Sequence, residues 1–345
     1  MTAMVEFDRV SIVFGERPQH ALPLMDEGRT RAEIQEATGQ VLGVHDCSLT
    51  VGEGEIVVLM GLSGSGKSTL LRAVNGLNPV TRGEVRVNDG QTMVSVTHAA
   101  PGQLRALRRA RIAMVFQAFG LLPWRTVAEN VGLGLELAGI PRSQRRARVG
   151  EQLDLVGLAQ WADRRVAELS GGMQQRVGLA RAFATQAPIL LMDEPFSALD
   201  PLIRNRLQDE LLELQQRLRR TIVFVSHDLD EAFKLGNRIA SMEGGRIIQC
   251  GTPKQIYSAP ASAYVADFVA NMNPLGVLTA ADALAPQDAD IPAEALPADL
   301  PIRAVMERLR GGAGPVGVVD GAGRHLGVVT EDSVLAALID PQSRP

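Results

Sequence analysis

The chain has 345 residues, 46% of them hydrophobic and 21% charged, which is enough apolar surface for two folded units and excludes disorder as the default. Its 35 basic and 39 acidic residues are intermixed and give a net charge of −4, which disfavours nucleic acid and anionic membrane surfaces as partners. Cys47 and Cys250 are too few for a disulfide framework or a four-ligand zinc site, and they fit a reducing compartment. The first residues lack the pattern of a signal peptide, and no apolar run reaches about 18 residues, so we expect neither secretion nor a membrane span.

An alternating pattern of apolar and polar residues opens the chain. Residues 4–14 alternate like an edge strand. A capping-box sequence then begins at Thr30 and a glycine stop follows at Gly39, which together predict a short helix at about 31–38. We expect this helix to lie within an insertion that spans about 15–42.

The centre of the chain alternates between apolar strands and helices. Glu55–Met60 is an apolar run that leads into a glycine-rich loop, and a helix is predicted from Lys67 onward. From Thr126 to about Glu168 the pattern is helical and rich in arginine, so we expect an inserted helical subdomain over about 118–168. Further strands are predicted at 44–51, 112–116, 189–193 and 221–226, with a helix that begins at Asp200 and Pro201. This alternation is typical of an α/β fold.

The C-terminal part changes composition. Residues 281–301 hold five acidic residues, no basic residue, and the prolines Pro286, Pro292, Pro297 and Pro301, so we predict a linker over 276–301. Beyond it, strand-like segments at 315–319 and 326–330 flank a glycine turn, and a helix is predicted at 333–339. A small α+β unit is therefore expected at the C-terminus.

A phosphate-binding loop follows the first buried strand. Gly61-Leu-Ser-Gly-Ser-Gly-Lys-Ser68 fits the P-loop pattern, whose backbone N–H groups and helix N-terminus hold the phosphates of ATP or GTP. Lys67 is expected to contact the β- and γ-phosphates, and Ser68 to bind Mg²⁺, although it could also be an ordinary helix-start serine. The predicted nucleotide contacts are Gly61, Leu62, Ser63, Gly64, Ser65, Gly66, Lys67, Ser68 and Thr69.

Polar residues follow three other predicted strands. We expect Asp193 to hold Mg²⁺ and Glu194 to polarise the attacking water, the alternative being a solvated strand end before Pro195. Gln117 is a candidate for both Mg²⁺ and water, or else a surface glutamine. His227 is a candidate for the γ-phosphate, or else a structural histidine.

A second anion site is predicted at Leu169-Ser-Gly-Gly-Met-Gln-Gln-Arg176. Ser170, Gly171 and Gly172 open a helix whose first turn carries no acid. Two chains arranged head to tail would close this site over the P-loop, so we expect a homodimer. Phe14 is a candidate for stacking on adenine, or else a core phenylalanine.

Six motifs follow one another along the chain: Gly61–Ser68, Gln117, Leu169–Arg176, Ile189–Glu194, Ser197–Asp200 and His227. In this order they resemble the motif set of ATP-binding-cassette (ABC) ATPases, over roughly 4–270. The resemblance implies an ABC-type P-loop domain over 1–275, with ATP and Mg²⁺ as ligands and with Ser170, Gly171, Gly172, Gln174 and Asp200 supplied by the partner chain. It also implies two transmembrane permease subunits, contacted around Phe119 to Arg125, a solute-binding protein, and a peripheral position at the cytoplasmic face of the bacterial inner membrane.

Finer features resemble the importers of quaternary amines. These are the insertion, Gly61–Ser68, Leu121–Arg125 and Ser197–Ile203, while Val265–Leu275 is most similar to the choline branch. The tail over 302–345 resembles a single cystathionine-β-synthase (CBS) repeat. We therefore expect the ATPase subunit of a choline importer, with a glycine betaine or proline importer as the alternative. A soluble ABC ATPase is less favoured, because such proteins usually need a long coiled coil or a second cassette, and neither is recognised in this sequence. An exporter ATPase is less favoured, because the insertion and the CBS-like tail resemble importers.

Overall fold

The computed structural model describes residues 2–270, 272–285, 295–310 and 314–339. The chain forms two compact units, one of Met1–His227 with Ala240–Ile248 and the other of Asp228–Ile239 with Gln249–Pro345. The strands are β1 (Ala3–Phe14), β2 (Val41–Gly52), β3 (Ile56–Met60), β4 (Arg82–Asn88), β5 (Met93–Ser95), β6 (Ile112–Val115), β7 (Ile189–Asp193), β8 (Thr221–Val225), β9 (Arg238–Glu243), β10 (Arg246–Gly251), β11 (Ala295–Pro297), β12 (Val316–Val319) and β13 (His325–Val329). The helices are α1 (Leu22–Asp26), α2 (Arg31–Thr38), α3 (Lys67–Ala73), α4 (Pro101–Ala110), α5 (Val127–Val131), α6 (Leu133–Leu137), α7 (Arg142–Leu155), α8 (Gly171–Ala184), α9 (Pro201–Leu218), α10 (Leu229–Leu235), α11 (Pro253–Ser258), α12 (Ala263–Val269), α13 (Ile302–Arg310) and α14 (Glu331–Ile339).

A six-stranded sheet in the order β10-β9-β3-β8-β7-β6 forms the centre of the fold. β3, β8, β7 and β6 run parallel to one another. Every residue of β3, β7 and β8 is buried, which explains why these strands read as unbroken apolar runs in the sequence. Because the strands are parallel, the loops that follow their carboxyl ends meet at one edge of the sheet. The predicted α/β class is confirmed.

The second sheet is antiparallel, in the order β2-β1-β4-β5. β1 pairs on both sides, with β2 and with β4, so the predicted edge position for residues 4–14 is wrong. Its alternating pattern shows that one face is buried, but periodicity carries no information about how many neighbours a strand has.

The insertion forms the predicted helix. α2 begins after the Thr30 capping box with Glu33 and ends at Gly39, whose φ of 69° is the left-handed conformation that favours glycine. Its one fully buried residue, Ile34, packs in a cluster with residues of β1, of the 3₁₀ turn before α1, of α1 and of β2, namely Val13, Ala21, Met25 and Leu42. The insertion is therefore anchored to the antiparallel sheet by its own small apolar core.

The segment over 118–168 is helical. Helices α5, α6 and α7 and two short 3₁₀ helices occupy the segment, and no strand lies between 118 and 168 in this described stretch. Thr126 caps α5 with Glu129 three residues on, as its sequence predicts. A long, arginine-rich, helical segment thus separates β6 from α8.

The second unit corrects the predicted linker. Pro286 and Pro292 lie outside the described residues, but the residues on both sides of 286–294 are ordered into structure. Leu278, Ala280 and Ala283 are buried, and Pro297 belongs to β11, which pairs with β12. Prolines at an edge strand and small apolar residues can pack despite the acidic composition. The predicted boundary at 302 therefore cuts a three-stranded sheet, β11-β12-β13. The strands and helix predicted near 315–319, 326–330 and 333–339 correspond to β12, β13 and α14.

Among the described residues, no helix is long and apolar enough to cross a membrane.

Candidate functional site

The P-loop follows β3 and contains the buried Lys67. The Nζ atom of Lys67 donates to the backbone oxygens of Gly61, at 2.7 Å, and Leu62, at 2.9 Å. Burial lowers the pKa of Lys67, and the carboxylates of Glu194 and Asp193 oppose this shift. An anionic ligand between these groups would have a buried cation to meet it.

Two glycines of the loop are required by close packing. Gly61 has a φ of +145°, and a Cβ there would run into the backbone oxygen of Met242. At Gly66, with a φ of +101°, a Cβ would lie 2.6 Å from the backbone oxygen of Gly43. Any larger residue would fill the space that the backbone uses to form a phosphate cradle. This chain therefore fits a nucleotide phosphate at the predicted loop.

Asp193 ends β7 and is fully buried among charged partners. It accepts a 2.7 Å hydrogen bond from the Oγ of Ser68 and a bond from Arg72, whose Nη2 lies 2.8 Å away. No cluster of three or more His, Cys, Asp or Glu side chains that could hold a metal exists in the described residues. A Mg²⁺ ion here would rely on a hydroxyl, a carboxylate and the phosphates, which are its preferred oxygen ligands. Sequence reasoning missed Arg72, and only its spacing one turn beyond Ser68 on α3 hinted at it.

Glu194 lies directly after β7, and two of the predicted residues converge on its side chain. Its Oε2 accepts a hydrogen bond of 3.2 Å from the Nε2 of Gln117 and lies 3.3 Å from the Nδ1 of His227. These two residues follow β6 and β8, the parallel strands on either side of β7. The sheet edge thus collects a carboxylate, an amide and an imidazole that the sequence separates widely.

The backbone of Glu194 is held in an uncommon conformation. Its φ is +48°, in the left-handed region that non-glycine residues seldom adopt. Its N–H donates to Val225, at 3.1 Å, and its carbonyl accepts from Gln175 Nε2, at 3.1 Å, and from Ser197 Oγ, at 3.0 Å. Strain of this kind persists where the surroundings fix it, and it directs the Glu194 side chain. Gln175 was missed, although it stands beside Gln174 in the motif and points to another face of α8.

α8 begins at the residues for which an anion site is predicted. Ser170 caps the helix, its Oγ accepting a hydrogen bond from Met173 N at 3.4 Å, and the first turn contains no acidic residue. Gln174 donates to the backbone oxygen of Leu169 at 3.0 Å, and Asp200 caps α9. Within one chain these side chains stabilise helix starts. The helix N-terminus keeps its positive dipole end free of acidic neighbours in its own first turn.

α8 also forms hydrogen bonds with the segment after Gln117. Arg181 donates from Nη2 to the backbone oxygen of Phe119, at 2.9 Å, and from Nη1 to that of Gly120, at 2.7 Å. Burial lowers the pKa of Arg181. Because Gln175 on the same helix holds Glu194, one helix links the Leu169–Arg176 motif, the candidate base and this loop.

A cavity of about 680 Å³ joins the P-loop to the rest of the site. Phe14 lies on its wall and is 37% exposed, which is unlike a core phenylalanine. The other lining residues are Arg31, Gln35, Val41, Leu42, Gly43, Ser63, Gly64, Gly66, Lys67, Ser68, Thr69, Gln117, Glu194 and His227. Arg31 and Gln35 come from the insertion, and sequence reasoning had given the insertion no role in the site.

Comparison with known proteins identifies relatives of this arrangement. The sequence pattern of the ABC transporter family matches residues 44–197. The chain is 50% identical over 282 residues to ProV of Escherichia coli (strain K12), a glycine betaine/proline betaine transport system ATP-binding protein, covering 82% of this chain and 70% of ProV. It is 44% identical to GbuA of Listeria monocytogenes serotype 1/2a (strain 10403S), a glycine betaine/carnitine transport ATP-binding protein, covering 81% of this chain and 70% of GbuA. It is 48% identical to TmoW of Ruegeria pomeroyi, a trimethylamine N-oxide transport system ATP-binding protein, covering 78% and 77%.

A solved structure shows the same fold. The ATP-binding cassette MJ0796, in a dimeric post-hydrolysis state bound to ADP and Pi, matches with a TM-score of 0.62 and 31% identity, covering 72% of this chain and 99% of that one. Members of the family hydrolyse ATP to power transport. The chain therefore belongs to the ABC transporter family, as an ATP-binding subunit in the group of glycine betaine, proline betaine and trimethylamine N-oxide transport systems.

Proposed function

We propose that the chain is the ATPase subunit of an importer for a small quaternary amine such as glycine betaine. The observation that carries this proposal is the sheet edge where the P-loop, Asp193 and Glu194 meet, with Gln117 and His227 on Glu194. A phosphate cradle beside a positioned carboxylate supports ATP hydrolysis. The relatives named above support the link to amine uptake.

Binding of ATP would use groups that already face the cavity. The triphosphate would lie on the P-loop backbone and Lys67, and the exposed Phe14 would offer its ring to the adenine. Ser68, Asp193 and Gln117 are the residues proposed to hold Mg²⁺, directly or through water. The metal would neutralise charge on the phosphates when bound. The remaining P-loop residues, Gly61 to Ser65 with Gly66 and Thr69, are proposed nucleotide contacts.

Hydrolysis would depend on Glu194 as the group that polarises the attacking water. Gln117 donates to Oε2 and the Nδ1 of His227 lies 3.3 Å from the same oxygen, so the carboxylate is oriented and Oε1 is left to accept from water. The backbone contacts from Gln175 and Val225 keep Glu194 in place. In this arrangement His227 serves both Glu194 and the γ-phosphate side of the cavity that it lines.

A second copy of the chain would complete each site. Residues 170–174 open α8 as an anion site, yet they are not among the described residues that line the P-loop cavity. In a head-to-tail homodimer, Ser170, Gly171, Gly172, Gln174 and Asp200 of one chain would face the nucleotide of the other. The dimeric state of the related cassette MJ0796 supports this proposal.

Coupling to permease subunits is proposed at the groove between β6 and the helical subdomain. This apolar groove has a volume of about 350 Å³ and is lined by Phe116, Leu133 and Leu137 among others. Trp124, in the nearby loop, is 68% exposed. Arg181 joins that loop to α8, so a shift at the groove would reach the Leu169–Arg176 motif and Glu194. Two permease subunits and a solute-binding protein would place the chain at the cytoplasmic face of the membrane.

The names of the relatives favour glycine betaine, which was the alternative solute, over choline, which was the first expectation. The relatives reported above are named for glycine betaine, proline betaine, carnitine and trimethylamine N-oxide, so glycine betaine is better supported than choline. The domain organisation also stays a proposal, with an ATPase part over about 1–275 and a CBS-like tail that includes 302–345. A soluble ABC ATPase is less supported, because these relatives are transport proteins.

The test is transport by the reconstituted system. The chain is combined with the permease and solute-binding subunits of its transport system, in vesicles that contain ATP, and uptake of labelled glycine betaine and choline is measured. We expect the vesicles to take up glycine betaine, and we expect Lys67→Ala to abolish this uptake. ATP-dependent uptake of neither amine, by a complex that hydrolyses ATP, would contradict the proposed substrate class.

A further inference from the structure

The inserted helix α2 is built as a rigid element next to the nucleotide cavity. The Thr30 capping box fixes its first turn, and Gly39 ends it in the left-handed conformation. Ile34 secures its inner face in the cluster with Met25 and Leu42. Side chains that leave the other faces of α2 therefore have well-defined starting positions.

Arg31, the first residue of α2, reaches the P-loop. Its Nη1 donates to the backbone oxygen of Gly64, at 2.6 Å, and its Nη2 to that of Gly43, at 2.5 Å. Gly245 has no side chain to obstruct it, and a Cβ there would lie 2.6 Å from Nη2. Contacts from β2 and from the P-loop itself thus hold the guanidinium against the phosphate cradle.

Two observations show that this guanidinium is not fully paired within the chain and that the Arg31 side chain faces the nucleotide cavity. Its Nε is buried and has no hydrogen-bond partner, which is costly for a charged group. Arg31 and Gln35, one turn later on the same face of α2, both line the cavity that contains Lys67 and Ser68. Glu194 is the one carboxylate on that wall among the described residues, whereas Arg31 and Lys67 both carry positive charge. The cavity therefore suits an anionic ligand.

We propose that Arg31 is a nucleotide-binding residue: its guanidinium contacts the polyphosphate of ATP, so that the insertion forms part of the nucleotide site. This inference rests on the proposed ATP site and adds a second fixed cation to Lys67. A planar guanidinium suits phosphate oxygens, and its position beside Gly64 places it at the loop that wraps the phosphates. The insertion then tunes how strongly the subunit holds ATP.

The test compares nucleotides that differ in phosphate number on the purified full-length chain. In Arg31→Gln, which keeps hydrogen-bond donors but removes the charge, the Kd for ATP is expected to rise about tenfold, or about 1.4 kcal/mol. The Kd for AMP is expected to change less than about twofold, because AMP lacks the β- and γ-phosphates. Arg31→Lys keeps the charge and is expected to retain ATP affinity within about threefold.

Arg29→Gln is the matched control. Arg29 lies two residues before Arg31, carries the same charge and is 53% exposed, but it pairs with Glu27 and Glu33 and does not line the cavity. It is expected to bind ATP like the wild type. An equal rise in the Kd values for ATP and AMP in Arg31→Gln would show that Arg31 has a purely structural role and would overturn the proposal. An equal rise in the Kd for ATP in Arg31→Lys and Arg31→Gln would do the same.

A second measurement uses the wild-type chain and so does not depend on folding of a variant. Phenylglyoxal modification of Arg31, mapped by mass spectrometry, is expected to fall with ATP and to be unchanged with AMP. Modification of Arg31 that ATP does not reduce would overturn the inference. Failure of the underlying ATP site is distinguishable, because Lys67→Ala would then bind ATP as well as the wild type.

Discussion

The contact between Gln175 and Glu194 gives the most specific prediction about catalysis. The Nε2 of Gln175 donates to the Glu194 carbonyl at 3.1 Å, and Gln175 is 1% exposed, so Gln175→Leu removes the donor while roughly keeping the volume. Ser197 still donates to that carbonyl, so the loss of folding free energy should be near the usual value of about 1 kcal/mol. Weaker restraint of a residue at a φ of +48° should misdirect its carboxylate.

The expected kinetic result is a fall in kcat of about tenfold, a part of the about 10²- to 10⁴-fold that a general base contributes. The Kd for ATP should not change, because Gln175 does not line the cavity. The assays are urea unfolding, steady-state ATP hydrolysis and equilibrium nucleotide binding. Thr185→Val is the control at the C-cap of the same helix, since it loses one hydroxyl bond, to Ala182, at the opposite end of α8 from the Leu169–Arg176 motif. A kcat for Gln175→Leu equal to that of Thr185→Val would refute the positioning role.

Three further predictions concern other parts of the first unit. Ser170→Ala should block hydrolysis and spare ATP binding, because Ser170 is proposed to act on the partner chain's nucleotide; equal loss of both in paired binding and hydrolysis assays would contradict the shared site. Gly61→Ala should abolish ATP binding and destabilise the fold by about 2 kcal/mol or more, because its Cβ would meet the Met242 carbonyl at a φ of +145°; wild-type ATP affinity would refute this. Burial raises the pKa of the Cys47 thiol from 9.0 to about 11. The unfolded chain then loses this proton first as pH rises, so the contribution of Cys47 to stability should be constant below pH 9 and fall by about 1.4 kcal/mol per pH unit between pH 9 and 11. Urea unfolding of Cys47→Ala should lack this step, and an equal slope in both proteins would count against the assignment.

Local signals explain what the sequence predicted well. The P-loop, the capping boxes at Thr30 and Thr126 and the buried runs of β7 and β8 depend on neighbouring residues, and each formed as predicted. Because β6, β7 and β8 are parallel, the residues that follow them lie at one edge of the sheet, and this alone places Gln117 and His227 beside Glu194.

Long-range contacts explain what the sequence did not predict. Arg31 meets Gly64 across 33 residues and Arg72 meets Asp193 across 121, and no periodicity encodes such pairs. The two-sided pairing of β1 was missed for the same reason. The linker prediction was wrong in part because composition describes average packing tendency, whereas Leu278 is buried by specific neighbours.

Single-turnover hydrolysis by Glu194→Gln tests the central claim most directly. The amide keeps the shape of the side chain and its contacts with the backbone but is a poor base for water. We expect the variant to bind MgATP with a Kd within about twofold of the wild type and to hydrolyse it at least about 100-fold more slowly. Hydrolysis at a rate near that of the wild type would contradict the assignment of Glu194 as the catalytic base.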